Sequence, residues 1–191
     1  VRMAEVTGRS LKLLQEKAST EGLAETYWNV RRYPGLNAEI EAANVREVKE
    51  LGGDEASRLV EGMAETLLGQ AGREIERIDS FYRLLLEQYG LEEKPYEPSE
   101  SYVKAESLAP RCLSDGPLSS ALENIREELG DERADWYSEY FGAPMTRLGG
   151  DAFEILNLVD GERSLLDIRD IVSFEFKETS VEYVLHFAED L

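Results

Sequence analysis

The segment from Gly149 to Leu191 constrains the fold of this chain more than any other stretch. Phe153-Glu154-Ile155-Leu156-Asn157-Leu158-Val159 ends one helical pattern, Asp160-Gly161 supplies a turn, and Ser164-Leu165-Leu166-Asp167 opens the next helix. Ser164 and Asp167 read as a capping box: the hydroxyl takes a backbone N–H and the carboxylate, standing in for Glu, reaches back. Phe153, Ile155, Leu156 and Val159 form a first apolar face, and Leu165, Ile168, Ile171 and Val172 a second. Thr179-Ser180-Val181-Glu182 reads as a stronger capping box ahead of Val184, Leu185 and Phe187. The pattern predicts a small unit of three short helices.

The rest of the chain also reads as helical. Leu11, Leu13, Leu14 and Ala18 mark a first helix, and Leu23 to Val30 a short second one. Tyr33-Pro34-Gly35 reads as a turn. Ala38 to Leu51 offers another helix, stopped by Gly52-Gly53. Asp54 then reads as the N-cap of a long helix reaching Tyr89, with an apolar stripe of Leu59, Met63, Leu67, Ala71, Ile75, Ile78, Tyr82, Leu85 and Tyr89. Gly62, Gly69 and Gly72 inside it read either as sites of close helix approach or as tolerated small residues, and a stripe this regular favours the second. Gly90 is the expected terminator.

From Leu91 to Gly116 periodicity is lost among Pro95, Pro98 and Pro110, as in a linker. Pro117 suits a helix N1 position, with Leu118, Leu122, Ile125 and Leu129 following at helical spacing. Gly130 ends that helix. Asp131 caps another, which carries Trp136, Tyr137, Tyr140 and Phe141 and closes at Gly142-Ala143-Pro144. The reading is a mainly α chain: a helical region over 1–90, a linker over 91–116 and a helical C-terminal domain over 117–191.

The composition narrows the function classes. With 21 basic and 40 acidic residues the net charge is −19, a field that repels phosphate backbones and anionic membrane surfaces. Nucleic acid and membrane are therefore not expected as partners. No apolar run approaches the ~20 residues of a membrane span. The start, Val1-Arg2-Met3-Ala4-Glu5, lacks signal-peptide order and reads as a processed or excised segment. Cys112 is the one cysteine, so no intrachain disulfide forms; this favours the cytoplasm and leaves secretion open.

Chemistry finds little footing. Nucleophilic triads and zinc sites need imidazole, and the one histidine, His186, sits between Leu185 and Phe187 in a helical pattern. No His-Glu-x-x-His, Cys-x-x-Cys or calcium-loop motif is present. Asp54 after Gly52-Gly53 would repel a phosphate. Acidic pairs such as Glu92-Glu93 and Glu127-Glu128 read as solvated faces, and an enzyme using carboxylates and a divalent cation is a weak third reading. No catalytic or metal residue is assigned. The candidates are interface residues: Met63, Ile75 and Tyr82 on the long helix, and Trp136, Tyr137, Tyr140 and Phe141. The aromatic cluster reads as core twice as readily as an interface anchor.

Gly116-Pro117-Leu118 through Asp135-Trp136-Tyr137, then Glu154-Ile155-Leu156-Asn157-Leu158-Val159-Asp160-Gly161-Glu162-Arg163-Ser164-Leu165-Leu166-Asp167-Ile168-Arg169, resembles the C-terminal region of large bacterial zinc aminopeptidases of metallopeptidase family 28. The likeness is best over Pro110 to Leu191. It implies a peptidase domain followed by helical segments and a small winged-helix-like end, whose β-wing would follow Leu191. The family holds two zinc ions with histidines and carboxylates, and none of that motif can be placed here. Zinc is therefore expected only in a parent peptidase domain. The implied role is docking or dimerisation, with the chain's own peptidase domain or a second copy as partner. The helix–Asp-Gly-x-Arg-Ser–helix signature also resembles peptide-binding winged-helix adaptors such as the PqqD-like group, which implies a free-standing adaptor instead.

Overall fold

The computed structural model describes residues 2–19, 21–47, 54–112, 126–141 and 150–190. The chain is mainly helical, with no β-strand among the described residues. It divides into two compact units, Val1–Glu97 and Pro98–Leu191.

The first unit holds α1 (Arg2–Lys17), α2 (Leu23–Glu47) and α3 (Asp54–Tyr89). Arg46 meets Glu61 at 3.2 Å, whereas Arg31 and Tyr27 meet Asp79 at 2.9 Å, so α2 and α3 run antiparallel. Arg2 meets Glu41 at 3.0 Å, which sets α1 antiparallel to α2. The result is an up-down-up bundle, the arrangement that short loops between amphipathic helices favour.

The apolar seam of α3 differs from the stripe expected from sequence. Leu59 is 68% exposed and Met63 50%, while Val60, Ala64, Ala71, Ile78, Tyr82 and Leu85 are buried. Four successive steps of four, from Leu59 to Ile75, rotate about 160° around a 3.6-residue helix and cannot share one face. Ala64, Ala71, Ile78 and Leu85 recur every seven residues, which drifts only about 20° per repeat and stays against α2.

Pro34 does not make a turn. The chain expected as two helices, Leu23–Val30 and Ala38–Leu51, is one helix, Leu23–Glu47, with Pro34 inside it. Pro34 removes a backbone donor, a local cost of about 3 kcal/mol. Tyr33, Pro34, Asn37 and Ala38 are all buried, and that packing outweighs the lost bond. Gly35 is not among the glycines at positive φ. Gly52-Gly53 lies outside the described residues.

Gly90 ends α3 as expected, at φ 64°. Gly90 N–H donates to the Glu87 carbonyl and Leu91 N–H to that of Leu86, the paired bonds of a Schellman motif. A short helix, α4 (Glu100–Ser107), lies within the stretch expected as linker and buries Tyr102 and Ala105.

The second unit continues with a helical turn at 126–129, then α5 (Asp131–Phe141), α6 (Gly150–Asn157), α7 (Leu165–Glu175) and α8 (Val181–Glu189). Pro117, Leu118, Leu122 and Ile125 lie outside the described residues, as does Gly142-Ala143-Pro144. Gly130, at φ 88°, separates the helical turn from α5. Helix α7 is the centre of the unit, with nine buried residues, and α4, α6 and α8 pack on it. Its buried set includes Arg169 and Asp170, whose side chains are 3% and 0% exposed and pair at 3.0 Å. The Arg169 guanidinium also lies 5.1 Å over the ring of Tyr102, tying α4 to α7.

The Ser164–Asp167 capping box is formed in both directions. The next cap sits one residue later than expected: Ser180, not Thr179, accepts from Tyr183 N–H. Thr179 is buried, its N–H donates to the Ser173 hydroxyl oxygen, and its own hydroxyl donates to the Lys177 carbonyl. Its side chain is thus committed inward and cannot cap.

Two stability results follow. Ile78→Ala should destabilise the first unit by about 2–5 kcal/mol in urea unfolding, whereas Leu59→Ala should stay within about 0.5 kcal/mol. Arg169→Met should cost about 3–5 kcal/mol by stranding Asp170, and the double change with Asp170→Leu should recover most of the loss.

Candidate interaction surfaces

The long helix outruns its neighbour. Sixteen residues of α1 span about 24 Å and thirty-six of α3 about 54 Å. Arg2, at the start of α1, meets Glu41, more than a turn short of the Arg46–Glu61 pair. The first turns of α3 therefore lie beyond α1, and Leu59 and Met63 are exposed there. Gly62, Gly69 and Gly72 are exposed, and a Cβ built on any of them would meet nothing within 4 Å. Within the chain they serve no close helix approach.

The candidate residues of α3 divide along its length. Met63 is open, Ile75 is half-buried, and Tyr82 is buried at 2%. Tyr82 stacks flat on Tyr27 with ring centroids 3.8 Å apart. Tyr27 in turn donates its hydroxyl to Asp79, which also takes Arg31. Burial, then the bond to the Asp79 carboxylate, pushes the Tyr27 phenol above its ordinary value. Tyr82 thus belongs to the junction of α2 and α3.

In the second unit Tyr137 is wholly buried and Trp136 half-buried; the side chains of Tyr140 and Phe141 lie outside the described set. Trp136 and Tyr137 meet edge to face at 4.9 Å, and Trp136 lies 5.9 Å from Tyr183 and 5.6 Å from His186 of α8. The Arg133 guanidinium covers the Trp136 ring at 5.0 Å. Arg133 Nε and the Tyr137 hydroxyl both donate to Asp190 Oδ2. Burial first, and then Asp190 as acceptor, holds the Tyr137 phenol far above the usual tyrosine range. Lys104 pairs with Glu189 and draws that carboxyl below its ordinary value. This cluster fastens α5 and α4 to α8.

The Asp160–Ser164 loop has a structural account. Asp160 Oδ1 accepts from the N–H groups of Glu162 and Arg163 at 2.8 Å, and Oδ2 meets Arg163 Nη1 at 2.8 Å. Gly161 takes φ 82° between them, a conformation that side chains with a Cβ rarely adopt. The loop also receives an extended segment: Gly161 N–H donates to the Pro110 carbonyl and Leu165 N–H to that of Leu108. Partial burial opposes ionisation of Asp160, but the two N–H groups and Arg163 outweigh it and hold the carboxyl below 3.8.

Sequence reasoning passed over Arg169, Asp170, Arg133, Asp190 and Asp79. A charged pair inside Ile168-Arg169-Asp170-Ile171 was a readable signal, because such a break in an apolar helix must be paired if buried. Asp79 and Asp190 had no local signal, since their partners lie 48 to 57 residues away.

Among the described residues no group of three or more His, Cys, Asp or Glu is placed to hold a metal ion. No described helix is long and apolar enough to cross a membrane. No protein-family model, curated protein or solved structure matches this chain.

Asp160 predicts a pH dependence. Its folded pKa is depressed, so its stabilising effect is complete above the ordinary value of 3.8 and is lost as pH falls through the folded value. In acid titrations followed by circular dichroism, Asp160→Asn should be less stable than the parent chain at pH 7, with the difference shrinking below about pH 4.

Proposed function

We propose that this chain is a non-catalytic accessory region of an aminopeptidase-like protein and that it acts by docking on protein. The partner is its own peptidase domain or a second copy of the chain. Any zinc belongs to the peptidase domain. The observation that carries the reading is the overhang of α3, whose uncovered turns expose Leu59 and Met63 in a chain with a net charge of −19. Large apolar side chains held outward on a rigid helix suit a protein surface, whereas the charge opposes nucleic acid and anionic lipid. The lone Cys112, which is exposed, fits a reducing compartment such as the cytoplasm.

A free-standing winged-helix-type adaptor is the second reading. It is favoured by the compactness of Pro98–Leu191, which has a core of its own around α7.

Light scattering and chemical cross-linking of the 191-residue chain, alone and mixed with a family 28 peptidase domain, test the first reading. Self-association or binding is expected, weakened about tenfold or more by Leu59→Glu with Met63→Glu, since apolar anchors at interface centres carry that much energy. A strict monomer that binds no peptidase domain would overturn it.

A further inference from the structure

The first unit contains an open cavity of about 550 Å³ that no helix of the bundle fills. It lies where the turn between α1 and α2 meets the end of α3. Leu23, Ala24, Leu86 and Leu91 supply apolar walls, and Glu21, Glu92 and Lys94 stand at the rim. Its size is within the range of small-molecule sites, roughly 300–1,000 Å³.

The cavity follows from the chain termination already described. The Schellman motif at Gly90 reverses the backbone and returns Leu91 and Glu92 toward Leu86. On the opposite wall, α2 begins at Leu23 with its side chain buried and Ala24 beside it half-buried. A small residue at Ala24 leaves space where a larger one would close it.

Tyr82 is the polar group in this wall. The residue is buried at 2%, its ring lies flat on Tyr27, and it lines the cavity. A tyrosine hydroxyl both donates and accepts, so one at a cavity wall can meet a ligand atom or water. The surrounding charge is acidic. Glu21 and Glu92 line the rim, Glu93 is close enough to act on Tyr82, and Lys94 is the one cation among them.

We propose that this cavity binds a small amphipathic cation: an apolar or aromatic body against Leu23, Leu86 and Leu91, and an ammonium group at the Glu21 and Glu92 carboxylates, with the Tyr82 hydroxyl as hydrogen-bond partner. The binding is separate from the docking surface at Leu59 and Met63, at the other end of α3.

The probes are 2-phenylethylamine and its anionic counterpart 3-phenylpropionate, titrated into the full 191-residue chain and followed by heteronuclear NMR. The amine should saturate shifts at Leu23, Ala24, Leu86 and Leu91. The carboxylate should bind several-fold more weakly. Glu21→Gln with Glu92→Gln should weaken the amine about two- to fivefold and narrow the gap between the probes. Tyr82→Phe, which keeps the stacked ring, should weaken it about two- to tenfold. Ala24→Trp, at a half-exposed position, should block binding while leaving the spectrum folded. Shifts that do not saturate, or undiminished binding to a folded Ala24→Trp chain, would overturn the site. Equal binding of the two probes would overturn its preference for a cation.

Discussion

The seam between α2 and α3 is the constraint on which the first unit depends. Ala64 and Ala71 let the helices approach at one end, and Ile78, Tyr82 and Leu85 fill the space at the other. The ion pairs at its two ends fix the antiparallel register but are largely exposed, and such pairs contribute little energy. Burial of the heptad positions supplies the stability, and it also allows Pro34 to remain in a helix. Two surface features follow from where the helices end. Because α1 is the shorter, one end of α3 is left with exposed Leu59 and Met63. Because α3 ends in a glycine reversal, a cavity opens beside Tyr82 at the other.

The second unit is organised differently. Its central helix is buried on nearly every side, so it cannot solve its packing with a single apolar face. Arg169 and Asp170 sit inside and neutralise each other, with Tyr102 taking the face of the guanidinium. Such a pair rarely adds stability over apolar residues, but it penalises any arrangement that separates its members. The aromatic and charged cluster around Asp190 has a similar character. Arg133 and Tyr137 come from α5 and Asp190 from the end of the unit, and they meet at one carboxylate oxygen. The Asp160-Gly161-Glu162-Arg163-Ser164 loop has a local structural role, as an Asx turn leading into a capping box.

Much of the fold was legible in local chemistry. The C-terminal limit of α3 followed from Gly90, and the Ser164–Asp167 box was readable because both partners lie within four residues of each other. Leu165, Ile168, Ile171 and Val172 were correctly assigned inward. The errors arose where two local readings competed. Pro34-Gly35 has strong turn chemistry, and only the buried neighbours of Pro34 override it. Thr179 and Ser180 are both good caps, and the choice fell to Ser180 because Thr179 is committed to Ser173 and Lys177. The stripe on α3 went wrong at Leu59 and Met63 because large apolar residues were preferred over Val60 and Ala64. The geometry of a 3.6-residue helix, applied strictly, selects the smaller ones.

From the amino-acid order alone came the helical class, the Gly90 end of α3, the capped start of α7, the acidic field and the lack of histidine and cysteine for metal chemistry, because each depends on residue type or on neighbours within a few positions. Only the folded chain decided which apolar residues stay outside, that Arg169 and Asp170 are buried together, and that Tyr82 stands at a cavity wall. Those outcomes depend on the relative lengths of α1 and α3 and on contacts between distant parts of the chain, which local patterns signal but do not fix.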